Sequence, residues 1–234
     1  MISAAQAQPV IFMNAAKYAI NGSDCVGAFA LATDRYVFAG SGITESSKRY
    51  LASVLGVEVL GMSIGGMDFV GMLMRANSNG MLISNLVTDR EMEAVRAMKL
   101  DMNIKRFDSP LNAVGNNILA NDKIAIVNPE YSNGDMSIIQ DVLGVEVISK
   151  TVGSFKTVGA NDILTNKGLV INNHVSDEEK KKLDDETGFD SVRSTANMGS
   201  LGIGIAVVAN SNGALIGDTT TGYEFSRIVD GLYL

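Results

Sequence analysis

"VLGVEV" occupies residues 54–59 and recurs, letter for letter, at residues 142–147, 88 residues further on. A duplicated unit explains this better than chance, and a fixed internal period is the first feature to measure in any sequence. Short apolar-Gly pairs supply one ruler: Val26-Gly27, Val70-Gly71, Val114-Gly115, Val158-Gly159 and Leu201-Gly202. Their glycines step by 44, 44, 44 and 43 residues. Helix starts supply a second ruler. Thr88 with Glu91, Ser176 with Glu179, and Thr221 with Glu224 have the spacing of a capping box, in which each side chain satisfies an orphan N–H of the first turn. Thr44 and Ser132 are barer caps without the Glu, and the five caps step by 44, 44, 44 and 45. Two signals of different physical origin therefore share one period.

Each period reads as ββαβ. A short apolar strand runs from the glycine, as in Gly71 to Ala76. A turn rich in Asn and Gly follows, such as Asn77-Ser78-Asn79-Gly80, because these residues tolerate the positive φ of tight hairpins. A second strand (Met81 to Ser84, Ile124 to Asn128, Gly168 to Ile171, Ala214 to Gly217) leads to the capped helix. Met92, Val95 and Met98 show the three-residue spacing of a buried helical stripe. Gly56, Gly144 and Gly188 are C-cap glycines. VLGVEV is thus a helix end, its cap and the last strand, with counterparts at Leu100–Ile104 and Thr187–Val192.

A unit of this size cannot bury its apolar face alone and leans on its neighbours. The expected units span residues 14–57, 58–101, 102–145, 146–189 and 190–234 of a 234-residue chain treated as one domain. After the fifth helix, Tyr223 to Asp230, no residues remain for a last strand, whereas the apolar run Val10 to Met13 precedes the first glycine. These two observations predict that an N-terminal strand at residues 10–13 completes the fifth unit and closes a ring, sealing an edge that would otherwise invite aggregation. The fold class is α/β (α+β) with pseudo-fivefold symmetry.

Bulk properties narrow the function. Hydrophobic residues make up 46% and charged residues 19%, as in a globular chain. No apolar run approaches the roughly 18 residues needed to span a bilayer, and the N-terminus lacks a signal-peptide pattern, so a cytoplasmic protein off the membrane is expected. The longest run, Leu201 to Ala209, reads as a strand. The net charge of −7 disfavours DNA or bare RNA and favours basic partners.

In this frame the third unit reads AVGNNILANDKIAIVNPE (residues 113–130) and the fifth VVANSNGALIGDTTTGYEFSRIVDGL (residues 207–232). These stretches resemble the translation initiation factor 6 family of archaea and eukaryotes in its Gly-Asn, Asn-Asp, apolar-x-Pro and Thr-Thr-x-x-Glu elements. The likeness runs from about Val26 to Leu232. The first 25 residues stand outside it, as an extension or a misplaced start. The resemblance implies a five-bladed α/β-propeller, or pentein, that acts without catalysis or cofactor. It implies a monomer on the large ribosomal subunit near the sarcin–ricin loop, which keeps the small subunit from joining. The acidic balance adds that a basic ribosomal protein is the main contact. In the family, residues just after the repeat glycine contribute to the ribosome-facing surface; here these are Asn116, Met72, Ala160 and Asn161. Two departures stand out. Met72 replaces a residue that is often basic, and Asn197-Met198-Gly199 replaces Asn-Arg-Gly. An exposed Met suits an adaptable interface, and a buried one fills core space. The alternative for Asn116 is a bond to a strand-edge backbone group.

Chemistry on this fold needs separate weighing, because pentein enzymes attack guanidino groups with a Cys, a His and acids. The chain has one Cys, Cys25, and one His, His174. Cys25 aligns with Phe69, Ala113, Thr157 and Ser200, which points to a small packing residue on a strand, and His174 falls in the loop before the fourth helix. Nothing in the spacing brings the two together, and one His with one Cys does not complete a tetrahedral metal site. Asp177, Glu178 and Glu179 read as an N-terminal helix turn, and Lys180-Lys181-Lys182 as a solvated helix face. A ring that binds unrelated proteins is the third alternative.

Overall fold

The computed structural model describes residues 14–234. Fifteen strands form five three-stranded sheets among these residues. The first blade contains α1 (Val26–Phe29), β2 (Ala30–Ala32), β3 (Tyr36–Gly40), α2 (Glu45–Leu55) and β4 (Glu58–Met62), preceded by β1 (Ala15–Tyr18). The second contains α3 (Val70–Leu73), β5 (Met74–Ala76), β6 (Gly80–Ser84), α4 (Asp89–Ala97) and β7 (Asn103–Phe107). The third contains α5 (Val114–Asn117), β8 (Ile118–Ala120), β9 (Ile124–Val127), α6 (Asn133–Leu143) and β10 (Glu146–Ser149). The fourth contains α7 (Val158–Asn161), β11 (Ile163–Leu164), β12 (Leu169–Asn172), α8 (Asp177–Thr187) and β13 (Val192–Ser194). The fifth contains α9 (Ile203–Ala206), β14 (Val207–Ala209), β15 (Ala214–Gly217) and α10 (Gly222–Leu232). In every blade the first two strands form an antiparallel hairpin, and in the first four the helix carries the chain back to add a parallel third strand.

The fifth blade draws its third strand from the other end of the chain. β1 lies parallel to β15, with Ala15 opposite Ala214 and Tyr18 opposite Gly217. The residues that close the sheet are therefore 15–18; the expected run at 10–13 lies outside the described residues. Tyr18 then anchors α2, its hydroxyl donating to Ser47 Oγ at 2.8 Å.

The repeat glycine begins no strand. It lies in a one-turn helix, α1, α3, α5, α7 or α9, and the hairpin strand starts only after that turn. The fifth ring glycine is Gly204, not Gly202, which instead precedes α9 as its N-cap. With Gly204 the glycines step by 44, 44, 44 and 45, in register with the helix caps. The reason is steric. A Cβ built on Gly71 would collide with the carbonyl oxygen of Gly27; Gly115 meets Gly71, Gly159 meets Gly115, Gly204 meets Gly159, and Gly27 meets Gly204. Five backbones touch in a closed circle around the axis, and no side chain fits between them. Leu201–Ala209 is for the same reason a helical turn followed by a short strand.

The core is equally cyclic. Each apolar cluster joins the inner strands of one blade to the body of the next. Leu31 and Phe38 pack into the second blade, and Leu82 packs with Val114, Ile118 and Ile139 of the third. Val208 and Leu215 of the fifth blade pack with Ile20, Val26 and Leu51 of the first. At about 25 cal/mol per Å2 of buried apolar area, these seams hold the blades together.

Local sequence explains the helices. Thr88 and Thr221 form complete capping boxes with Glu91 and Glu224. Asp135 completes one with Ser132, a pairing that a search for Glu alone overlooks. Ser176 accepts from Glu179 N, but the Glu179 carboxylate turns away to Gly153 N, so that box is half made. Gly56, Gly144 and Gly188 adopt the left-handed C-cap conformation. VLGVEV divides as expected into helix end, glycine cap and strand, with β4 and β10 beginning at Glu58 and Glu146, two residues past the cap glycine.

Candidate functional site

The axis has two ends. At the hairpin end, the residue entering each turn is Thr33, Asn77, Asn121, Thr165 or Asn210. Every one accepts hydrogen bonds from its own turn, as Gly80 N donates to Asn77 Oδ1 and Tyr36 N to Thr33 Oγ1. The three asparagines also reach the next blade. Asn77 Nδ2 donates to Asn121 O at 2.9 Å and Leu143 O at 2.8 Å, and Asn210 Nδ2 donates to Thr33 O at 3.0 Å and Leu55 O at 2.9 Å. One residue on, Asp122 accepts from Ser78, and Asp34 accepts from Ser211. Asn166 Nδ2 donates across the mouth to Asp34 at 2.8 Å and to Asp122 at 2.7 Å. This end is polar, and its polar groups bond one another.

The opposite end carries the inner turns and the links between blades. Three links are glycine-containing turns with positive φ, at Asn21-Gly22, Gly65-Gly66 and Gly153-Ser154, and a fourth runs through Asn197-Met198-Gly199. Glutamates at the third position of the following helices fasten three of them, Glu179 by accepting from Gly153 N at 2.9 Å. Glu91 accepts from Gly65 N and Gly66 N, each at 2.9 Å, as well as from Thr88. Glu224 accepts from Gly199 N at 2.7 Å, Met198 N at 3.3 Å and Thr195 Oγ1 at 2.7 Å, besides Thr221. Burial pushes the Glu224 carboxyl up, but the hydroxyls of Thr195 and Thr221 and the N–H groups of Thr221 and Gly199 outweigh it and hold it down to about 2. Glu91 is held at about 2 by the same balance.

Large apolar side chains lie open at this end. Phe69, at the N-cap of α3, is 43% exposed and contacts Phe29 of the first blade, with ring centroids 5.2 Å apart. Leu86 sits against Gly65 and is 40% exposed, while Met198 crowns the fourth link at 75%. Met72 is half-buried against the second core cluster.

The four residues expected at the face separate into two pairs. Asn116 is partly exposed, its backbone N–H bonds to Ala113 O, and its side-chain amide has no hydrogen-bond partner among the described residues. Its neighbour Asn117 does the internal work instead, donating to Ala113 O and accepting from Asn128 Nδ2 at 2.7 Å. Met72 occupies the position of Asn116 in the second blade and also reaches the surface. Ala160, the equivalent in the fourth blade, is buried. Asn161 matches Asn117 and is buried with both amide groups engaged, accepting from Thr157 Oγ1 and donating to Leu201 O. Ala160 and Asn161 are thus scaffold, not surface. Sequence reasoning passed over Phe69 and Leu86; an aromatic at the N-cap before a repeat glycine was the available signal.

Cys25 is exposed, contrary to its expected packing role. With the fifth blade in its observed frame, its equivalents are Phe69, Ala113, Thr157 and Gly202, all N-caps of inner turns. His174 belongs to the fourth blade, where its ring stacks on Phe155 with centroids 5.3 Å apart. The two residues lie on different blades and share no contact. No group of three or more His, Cys, Asp or Glu side chains has a metal-holding arrangement among the described residues, and no helix there is long and apolar enough to cross a membrane.

A family model described as the eIF-6 family matches residues 15–231, starting at the first residue of β1. The chain is 37% identical over 216 residues to translation initiation factor 6 of Pyrococcus abyssi, covering 91% of this chain and 95% of that one. It is 36% identical to the factor of Thermoplasma acidophilum over 217 residues, covering 92% and 98%. The corresponding protein of Picrophilus torridus is 33% identical over 217 residues, with the same coverage. The inner-turn circle, the five parallel-closed blades and a match over nearly the whole described chain lead to one conclusion: this protein belongs to the eIF-6 family.

Proposed function

We propose that the protein is a translation initiation factor that docks on the large ribosomal subunit through the turn end of its axis and keeps the small subunit from joining. The observation that carries this reading is the asymmetry of the ring. Polar side chains at the hairpin end are consumed by neighbouring blades, whereas at the turn end Asn116 is unpartnered and Phe69, Met198 and Leu86 are open. Exposed large apolar side chains beside an unpartnered amide suit a protein-binding surface. The net charge of −7 supports a basic ribosomal protein near the sarcin–ricin loop as the principal contact, because bare RNA would repel the ring. In this reading the protein works as a cytoplasmic monomer, and the mechanism is steric: a rigid body held on the intersubunit side occupies space that the small subunit needs. It involves no bond-making step.

Sucrose-gradient sedimentation tests the reading. The protein is expected to co-migrate with free large subunits and to deplete joined particles when added in excess. Migration at the top of the gradient at every salt concentration, with joined particles unchanged, would refute it.

A further inference from the structure

The centre of the ring contains a charge that the repeat does not call for. Leu31, Leu119, Ile163 and Val208 occupy one position on the inner strands, each facing the next blade. In the second blade that position is Arg75, opposite Leu82. Arg75 is 8% exposed. Its Nη2 donates to Gly115 O at 2.6 Å, its Nε has no partner, and no carboxylate pairs with it among the described residues. Burial lowers its pKa to about 10, so the guanidinium stays charged at neutral pH. An uncompensated buried ion is among the costliest groups a fold can hold.

Arg75 lines an axial cavity together with Gly27, Gly71, Gly159 and Gly204, with about 30 Å3 of room for the centre of a water-sized sphere. That exceeds what one water needs, roughly 10–15 Å3. A tier of Ala32, Ala76, Ala120 and Ala209 separates the cavity from the hairpin mouth. There Asp34 and Asp122 are already held by Ser211, Ser78 and the bridging Asn166.

We propose that this cavity holds a small monovalent anion of halide size, bound by the exposed edge of the Arg75 guanidinium and neutralising it. Asn166 spans the hairpin mouth of the axis. The anion is a structural counter-ion and stands apart from the ribosome-docking reading.

The full chain, refolded in sodium chloride or in sodium gluconate at equal ionic strength, supplies the test. Chloride is expected to raise Tm by about 5 °C over gluconate, the effect of an ion present at many times its Kd on a protein of this size. Arg75→Leu, which copies the first and third blades, is expected to fold and to lose the chloride dependence. Crystals grown from bromide should show an anomalous peak within hydrogen-bond distance of the Arg75 guanidinium. Equal Tm values in the two salts with no bromide peak would mean that water alone solvates the guanidinium. A chloride effect that persists in Arg75→Leu would place the ion elsewhere. Either result overturns the proposal.

Discussion

At the hairpin end of the axis, Asn77, Asn121 and Asn210 donate their side-chain amides to carbonyls of the next blade; at the turn end, Asn116 donates its amide to nothing among the described residues. Both are asparagines at repeat positions of one ring. The difference lies in what surrounds them. The hairpin tips converge, so each Asn finds the unpaired carbonyls of its neighbour's turn and helix end within reach. In the second and third blades the inner turn presents its third residue, Met72 or Asn116, to the surface, away from the circle of glycines. An amide at the first place is structural, and one at the second is available to a partner.

The harshest way to break this contrast is to separate the blades where they touch. Gly71→Ala places a Cβ on the carbonyl oxygens of Gly27 and Ala30, backbone atoms that cannot yield without opening the circle. A loss of at least about 4 kcal/mol in urea denaturation is expected, or failure to fold. A wild-type midpoint would show that the circle is slack.

Asn210→Thr is gentler, because it copies what the first and fourth blades carry at this position. Threonine keeps the turn bonds, as Thr33 and Thr165 do, but removes both donors to Thr33 O and Leu55 O across the closing seam. Thr33 O loses its donor and Leu55 O keeps only the longer bond from Asn212 Nδ2, at a cost of about 1–2 kcal/mol. An unchanged midpoint would mean that the fifth seam does not depend on this clamp.

Two acids sharpen the comparison through pH. Glu224 has a folded pKa of about 2, below its unfolded 4.5, so its contribution is present above pH 4.5 and is lost as pH falls toward 2. Glu224→Gln should lower Tm at pH 7 by about 3–6 °C and flatten the acid limb. Asp162 behaves in the opposite sense. It is fully buried where the other blades place Ala30, Met74, Ile118 and Val207, and one carboxyl oxygen has no partner. Burial raises its pKa to about 7, only partly countered by Asn172, so stability falls as pH rises from about 4 to about 7 and then levels off. Asp162→Asn should raise Tm at pH 8 by about 3 °C and leave it unchanged at pH 4. The same shift at both pH values would exclude titration of this group.

The smallest effect on stability is expected at the turn end. Asn116→Arg should move the unfolding free energy by no more than about 0.5 kcal/mol while weakening co-sedimentation with large subunits. Phe69→Ser should weaken binding likewise, with a stability cost of about 1 kcal/mol from the lost Phe29 contact. Wild-type binding by both variants would move the docking surface elsewhere on the ring.

What the residues alone determined was the period, the helix caps, the C-cap glycines and the ββαβ order. Each of these is set by contacts within a few residues, so each leaves a local trace such as Thr88 with Glu91 or the glycine at 144. The family likeness belongs here too, since it rests on the letters at residues 113–130 and 207–232. The sequence did not reveal that the repeat glycines form helical turns, that Gly204 completes their circle, that residues 15–18 close the fifth sheet, or that Asn116 is open while Asn161 is buried. These outcomes depend on groups 40 or more residues apart meeting at the axis, as Gly27 meets Gly204 and Asn161 meets Leu201. Local chemistry chooses the shape of a blade, but only ring closure decides which faces of five similar blades have room for a side chain and which look outward.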